Sequence, residues 1–137
     1  MFATVFVGRY DPGQHELIYA NAGHSPVIYC PAGGSAILLE ADGPAMGVLP
    51  ISLSENHILQ FQPDDLLIVT TDGFNEASNP GGKMFGINQL LQLIESVASK
   101  SASEISGEIF KAVQNFSAGR PQDDDQTLVV IKGVLHE

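Results

Sequence analysis

Two acidic turns stand out by residue type and spacing, TDGFNEA at 71–77 and QDDDQT at 122–127. Asp72 follows the apolar run LLIVTT at 66–71, and Asp123, Asp124 and Asp125 precede the apolar run LVVIKGVL at 128–135. Carboxylates set this close repel one another unless a positive charge lies between them. If the two runs are neighbouring strands, the turns converge at one end of a sheet. Their oxygen donors would then suit a hard divalent cation such as magnesium or manganese, which needs few protein carboxylates and keeps several waters. Residue types alone leave a plainer reading open, because Asp-Gly after a strand is commonly just a turn and an Asp triplet a solvated loop or helix cap. A calcium loop of the EF-hand kind is excluded: DDDQTLVVI lacks the alternating oxygen ligands, central glycine and terminal glutamate it needs.

The elements that would carry these turns follow from periodicity. TVFVGRY, HELIYAN, PVIYC and SAILLE read as four short strands separated by DPGQ, AGHSP and PAGG, and their order suggests an antiparallel meander. ADGPAMGVLP at 41–50 reads as a loop over a sheet edge. HILQF at 57–61 and DLLIVTT at 65–71 are further strands around the turn QPDD. The second is apolar at consecutive positions, as in a strand covered on both faces. Between Gly86 and Gly119 the period becomes helical. Ile87, Leu90, Leu91, Ile94, Val97 and Ala98 form one stripe, and Ile105, Ile109, Ala112, Val113 and Phe116 a second. Ser101 and Glu104 have capping-box spacing, and Gly119 is a natural stop. TLVVIKGVL at 127–135 reads as a last strand, giving an α+β fold in one domain or part of one.

Composition removes other classes of function. Sixteen acidic residues against six basic ones give a net charge of −10, which disfavours nucleic acid and anionic membrane surfaces. The apolar runs are too short for a membrane helix, and no leader sequence is seen, so a cytoplasmic location is expected. A single cysteine, Cys30, excludes an internal disulfide and reads as a small core residue. His24 in NAGHSP has the chemistry of a general acid, but Asn21, Gly23 and Pro26 make this a turn in which a histidine more commonly fixes the loop. Lys83, in the loop SNPGGKMFG at 78–86, is either a phosphate contact or a solvated lysine.

Taken together, FATVFV, LIYANAGHSPVIY, GPAMGVLP, DDLLIVTTDGFNEA, MFG and DDQTLVVI resemble, in order, the signatures of the SpoIIE-like branch of metal-dependent serine/threonine protein phosphatases of the PPM type. The resemblance implies part of an α/β/β/α sandwich and a two-metal manganese or magnesium centre at one end of the sheets. By it, Asp72 and Asp124 are metal ligands, with Asp125 the alternative to Asp124, while Glu76 either orients water around an ion or is a solvated loop acid. No side chain is phosphorylated in that mechanism, which leaves Cys30 without a catalytic duty.

The resemblance covers the carboxy-terminal portion of such a domain, over residues 1–137. The family's amino-terminal metal-binding segment, a GDYYD-like motif and a later DxxGHG-like turn, does not occur in these residues. The expectation is therefore half a metal site, little activity for the chain alone, and self-association through uncovered sheet. Family relationships imply a phosphorylated anti-sigma-factor antagonist as substrate and an upstream sensor or receiver domain. The competing reading is a non-catalytic protein-binding module of the same fold.

Overall fold

The computed structural model describes residues 1–49, 54–122 and 124–135. Ten elements run in the order β1 (Val5–Asp11), β2 (Glu16–Ala22), β3 (Val27–Cys30), β4 (Ile37–Leu38), β5 (His57–Gln60), β6 (Leu66–Thr70), α1 (Asp72–Asn75), α2 (Ile87–Val97), α3 (Ala102–Ser117) and β7 (Leu128–Lys132). The strands sort into a three-stranded sheet, β1-β2-β5, and a four-stranded sheet, β4-β3-β6-β7, with every pairing antiparallel.

The expected meander is thus corrected. β1 pairs with β2 and β3 with β4, but β2 turns to β5 and β3 to β6, so the AGHSP turn passes between sheets rather than closing a hairpin. The strand expected over SAILLE shrinks to Ile37–Leu38. The last strand stops at Lys132 because the next turn is occupied: Asp64 N–H donates to Gly133 O, and Gly133 N–H to Asp65 O. A Cβ on Gly133 would lie 2.4 Å from Gln62 O.

Alternation along β6 explains its consecutive apolar residues. Leu66 and Ile68 join the layer beneath the helices with Leu90, Ile94, Ile105, Ile109 and Val113, while Leu67 and Val69 face the other sheet with Leu17, Val27 and Phe61. Each such fully buried Leu or Ile contributes about 1.5–3 kcal/mol, so the strand that leads into Asp72 is among the most firmly held in the molecule. The thiol of Cys30 is buried in the helix-side layer, and burial first, then the charges of Glu95 and Asp65, push its pKa up.

The two helical stripes appear as α2 and α3, packed against β3 and β7 respectively. α3 opens with the complete Ser101/Glu104 capping box and closes on Ala118, left-handed at φ 49°, one residue before the glycine expected to stop it. No helix among the described residues lies over the outer face of the three-stranded sheet, so three of the four expected layers are present. The loop following residue 40 crosses the start of β1 and the end of β2, pairing Ala3 with Met46 and Ala22 with Gly43. Its last expected residue, Pro50, lies outside the described residues. No described helix is long and apolar enough to cross a membrane.

Candidate metal centre

β6 and β7 are direct neighbours, with Thr70 opposite Leu128, so the residues that leave β6 and those that enter β7 occupy the same end of the sheet. Thr71 locks them together. Its N–H donates to Thr127 O at 3.0 Å, its hydroxyl donates to Asp125 O at 2.9 Å, and that same hydroxyl accepts from Thr127 N–H at 3.1 Å. Gln126 reaches back, its side-chain amide donating to Gly73 O at 3.1 Å. The turns touch at Gly73, where a Cβ would meet Asp125 O at 2.1 Å, so glycine at this position is required by contact with the other acidic turn rather than by a positive φ.

Asp72 leaves the sheet as the first residue of the short helix α1 rather than in a simple turn, with Glu76 N–H donating to Asp72 O at 2.9 Å. Phe74, fully buried, pins α1 beneath α3 by an edge contact with Phe110 at 5.0 Å between ring centroids. Asp72 therefore stands exposed on a fixed support. Asp124 is shaped by its own turn: one carboxylate oxygen accepts from Asp125 N–H at 2.7 Å, and its backbone carbonyl accepts from the Gln122 side chain at 2.7 Å.

Asp72, Asp124 and Asp125 line one open cavity of about 360 Å³, together with Thr4, Gly23, His24, Ser25 and Thr71. Thus three of the residues singled out in the acidic turns come together, and His24 joins them from the β2–β3 turn. Asp123 lies outside the described residues. Glu76 and Lys83 do not line the cavity. The backbone N–H of Lys83 closes its own loop, donating to the Asn79 side chain at 2.9 Å.

The donor set at the cavity is all carboxylate and hydroxyl oxygen, with an imidazole at the rim, which fits a magnesium- or manganese-like ion better than a soft metal. Among the described residues no three His, Cys, Asp or Glu side chains form a ready-made ligand cluster. Asp72 with Asp124, or with Asp125, would therefore hold an ion that keeps most of its waters. Thr4, Thr71 and Gln126 were not singled out from the sequence. Of the three, only Thr71 carried a signal, its place directly before Asp-Gly.

Comparison with known proteins bears on the family and the fold. The chain is 34% identical over 131 residues to protein IcfG of Synechocystis, covering 96% of this chain and 20% of that protein. It is 28% identical over 136 residues to the phosphoserine phosphatase RsbU of Bacillus subtilis, covering 96% of this chain and 39% of RsbU. The SiaA PP2C domain of Pseudomonas aeruginosa superposes with a TM-score of 0.80 at 20% identity, over 93% of this chain and 50% of that one. The chain thus spans half or less of the length of these relatives, and the likeness to the SiaA domain establishes a shared fold. The sequence profile described as Stage II sporulation protein E (SpoIIE) matches residues 1–133, and the chain belongs to that family.

Proposed function

We propose that residues 1–137 are part of a metal-dependent serine/threonine protein phosphatase domain of a bacterial regulatory protein, and that they supply its carboxy-terminal half of the metal site. The observation that carries this reading is the convergence of Asp72, Asp124 and Asp125 on a single cavity, locked by Thr71. Asp72 and Asp124 hold a manganese or magnesium ion, with Asp125 the alternative to Asp124. When bound, such an ion supplies a water of lowered pKa and neutralises charge on phosphoryl oxygens. The chain's own part is to fix carboxylate positions at the end of β6 and β7, and no side chain here acts as nucleophile.

The substrate proposed is phosphoserine on a regulatory protein of the anti-sigma-factor-antagonist type, in the cytoplasm and under the control of an upstream sensor or receiver domain. Support comes from RsbU, a relative named as a phosphoserine phosphatase. With only Asp72, Asp124 and Asp125 among the described residues lining the cavity, the 137 residues alone are expected to hydrolyse little, because two or three carboxylates cannot fix paired metal geometry. The test is release of phosphate from a phosphoserine peptide in the presence of manganese, by the chain alone and by the chain joined to a family segment bearing the GDYYD-like motif. Activity only in the joined protein, abolished by Asp72→Asn, is the expected result. Activity in neither, with no manganese binding to either, would favour the non-catalytic binding module.

A further inference from the structure

His24 sits at the rim of the carboxylate cavity, and the hydrogen bonds around it decide what its ring can do there. Asn21, only 1% exposed, grips the His24 backbone from both sides. Its side-chain amide donates to His24 O at 2.9 Å and to Leu39 O at 3.3 Å, and its Oδ1 accepts from His24 N–H at 2.8 Å. With the backbone held, the ring lies between Thr4 Oγ1, 2.9 Å from Nδ1, and Thr70 O, 3.0 Å from Nε2. A carbonyl oxygen only accepts, so Nε2 carries the proton, and in the neutral ring Nδ1 accepts from the Thr4 hydroxyl. Both ring nitrogens are engaged, which argues against a proton donor to substrate.

The bond to Thr70 O meets a specific need. Val27 pairs with Val69, so the next antiparallel pair is Pro26 with Thr70, and in such a pair both polar groups of one residue point to the same partner. Thr70 N–H does donate to Pro26 O, at 3.1 Å. Proline has no N–H to return. Thr70 is 1% exposed, so its carbonyl would otherwise lose a partner at the buried end of β6. The His24 imidazole supplies the missing donor, two residues before Asp72.

We infer that His24 is a positioning residue: its Nε2–H replaces the hydrogen bond that Pro26 cannot donate, caps the end of β6 and so sets where Asp72 leaves the sheet. Through Thr4 the same ring also ties the approach to β1 into this end of the molecule. The effect on metal binding rests on the reading of Asp72 as a ligand, whereas the capping role does not.

Two readouts on the 137-residue chain separate these. Nitrogen-15 NMR of the imidazole is expected to show the neutral ring protonated at Nε2. His24→Ala should then shift the amide resonances of Thr71 and Asp72, and His24→Gln, whose amide nitrogen reaches to a similar depth, should restore them. In manganese titrations His24→Ala is expected to weaken affinity about ten- to a hundredfold, the usual cost of losing a group that orients a ligand, and His24→Gln to recover most of that loss. A ring protonated at Nδ1, or a Gln variant as impaired as the Ala variant in both readouts, overturns the inference. If Asp72→Asn leaves manganese affinity unchanged, the metal reading fails by itself, and the NMR result still decides the cap.

Discussion

Thr71 shows how much of the candidate centre depends on a residue with no metal chemistry of its own. Its hydroxyl is both donor, to Asp125 O, and acceptor, from Thr127 N–H, so one oxygen holds the second acidic turn against the first. Thr71→Val keeps the shape and removes both bonds, and the net value of a hydrogen bond is about 0.5–1.5 kcal/mol, with more lost where a buried group is orphaned. A stability loss of about 1–3 kcal/mol is expected in urea unfolding, with Thr71→Ser restoring most of it. No loss in the valine variant would mean that the turns are held together by other contacts. At this scale the sequence is only partly informative. Asp72, Asp124 and Asp125 were legible as carboxylates after and before apolar runs, but the partner of the Thr71 hydroxyl lies 54 residues away, and no local pattern announces it. The same is true of His24, whose role depends on Pro26 facing Thr70 across two strands.

Elements were legible where one periodicity dominates. The stripe of Ile105, Ile109 and Val113 and the Ser101/Glu104 box specify α3 locally, and the helix forms with both capping bonds present. Strand pairing was not legible in the same way. β2 and β3 are separated by a turn that would serve a hairpin equally well, and their assignment to different sheets is set by the distant partners β5 and β6. The cap of α3 also makes a prediction about pH. Hydrogen bonding to the Ser101 side chain first, then to its backbone, with help from the charge of Lys100, holds the Glu104 carboxyl below its ordinary value. A folded value below the unfolded one adds stability that is complete above the ordinary glutamate range and fades as pH falls through the folded value. The unfolding midpoint of Glu104→Gln, whose neutral amide can keep the cap, should therefore gain on that of the parent as pH is lowered through the carboxylate range. A gap that stays constant with pH would contradict this.

At the scale of the whole molecule, the described residues build one sheet covered by helices and one whose outer face is bare. The outer face of the three-stranded sheet presents Val7, 61% exposed, and Ile58, 66% exposed, and no described helix lies on it. Between the edges of β1 and β7 a further apolar opening of about 490 Å³ is lined by Phe6, Tyr10, Leu17, Phe61, Val129 and Ile131. Apolar surface of this kind drives association in water, so light scattering of the 137-residue chain should show mass rising with concentration. A monodisperse monomer would count against it. The net charge of −10 opposes association at low salt, which predicts that added salt strengthens it.

Asp72 and Asp124, as proposed ligands of one ion, are the centre of the phosphatase reading. Calorimetric titration of manganese into the chain addresses this directly. Saturable binding that Asp72→Asn and Asp124→Asn each weaken is the predicted result. Binding that neither substitution weakens, or no binding even when the chain is joined to a segment bearing the GDYYD-like motif, would contradict it.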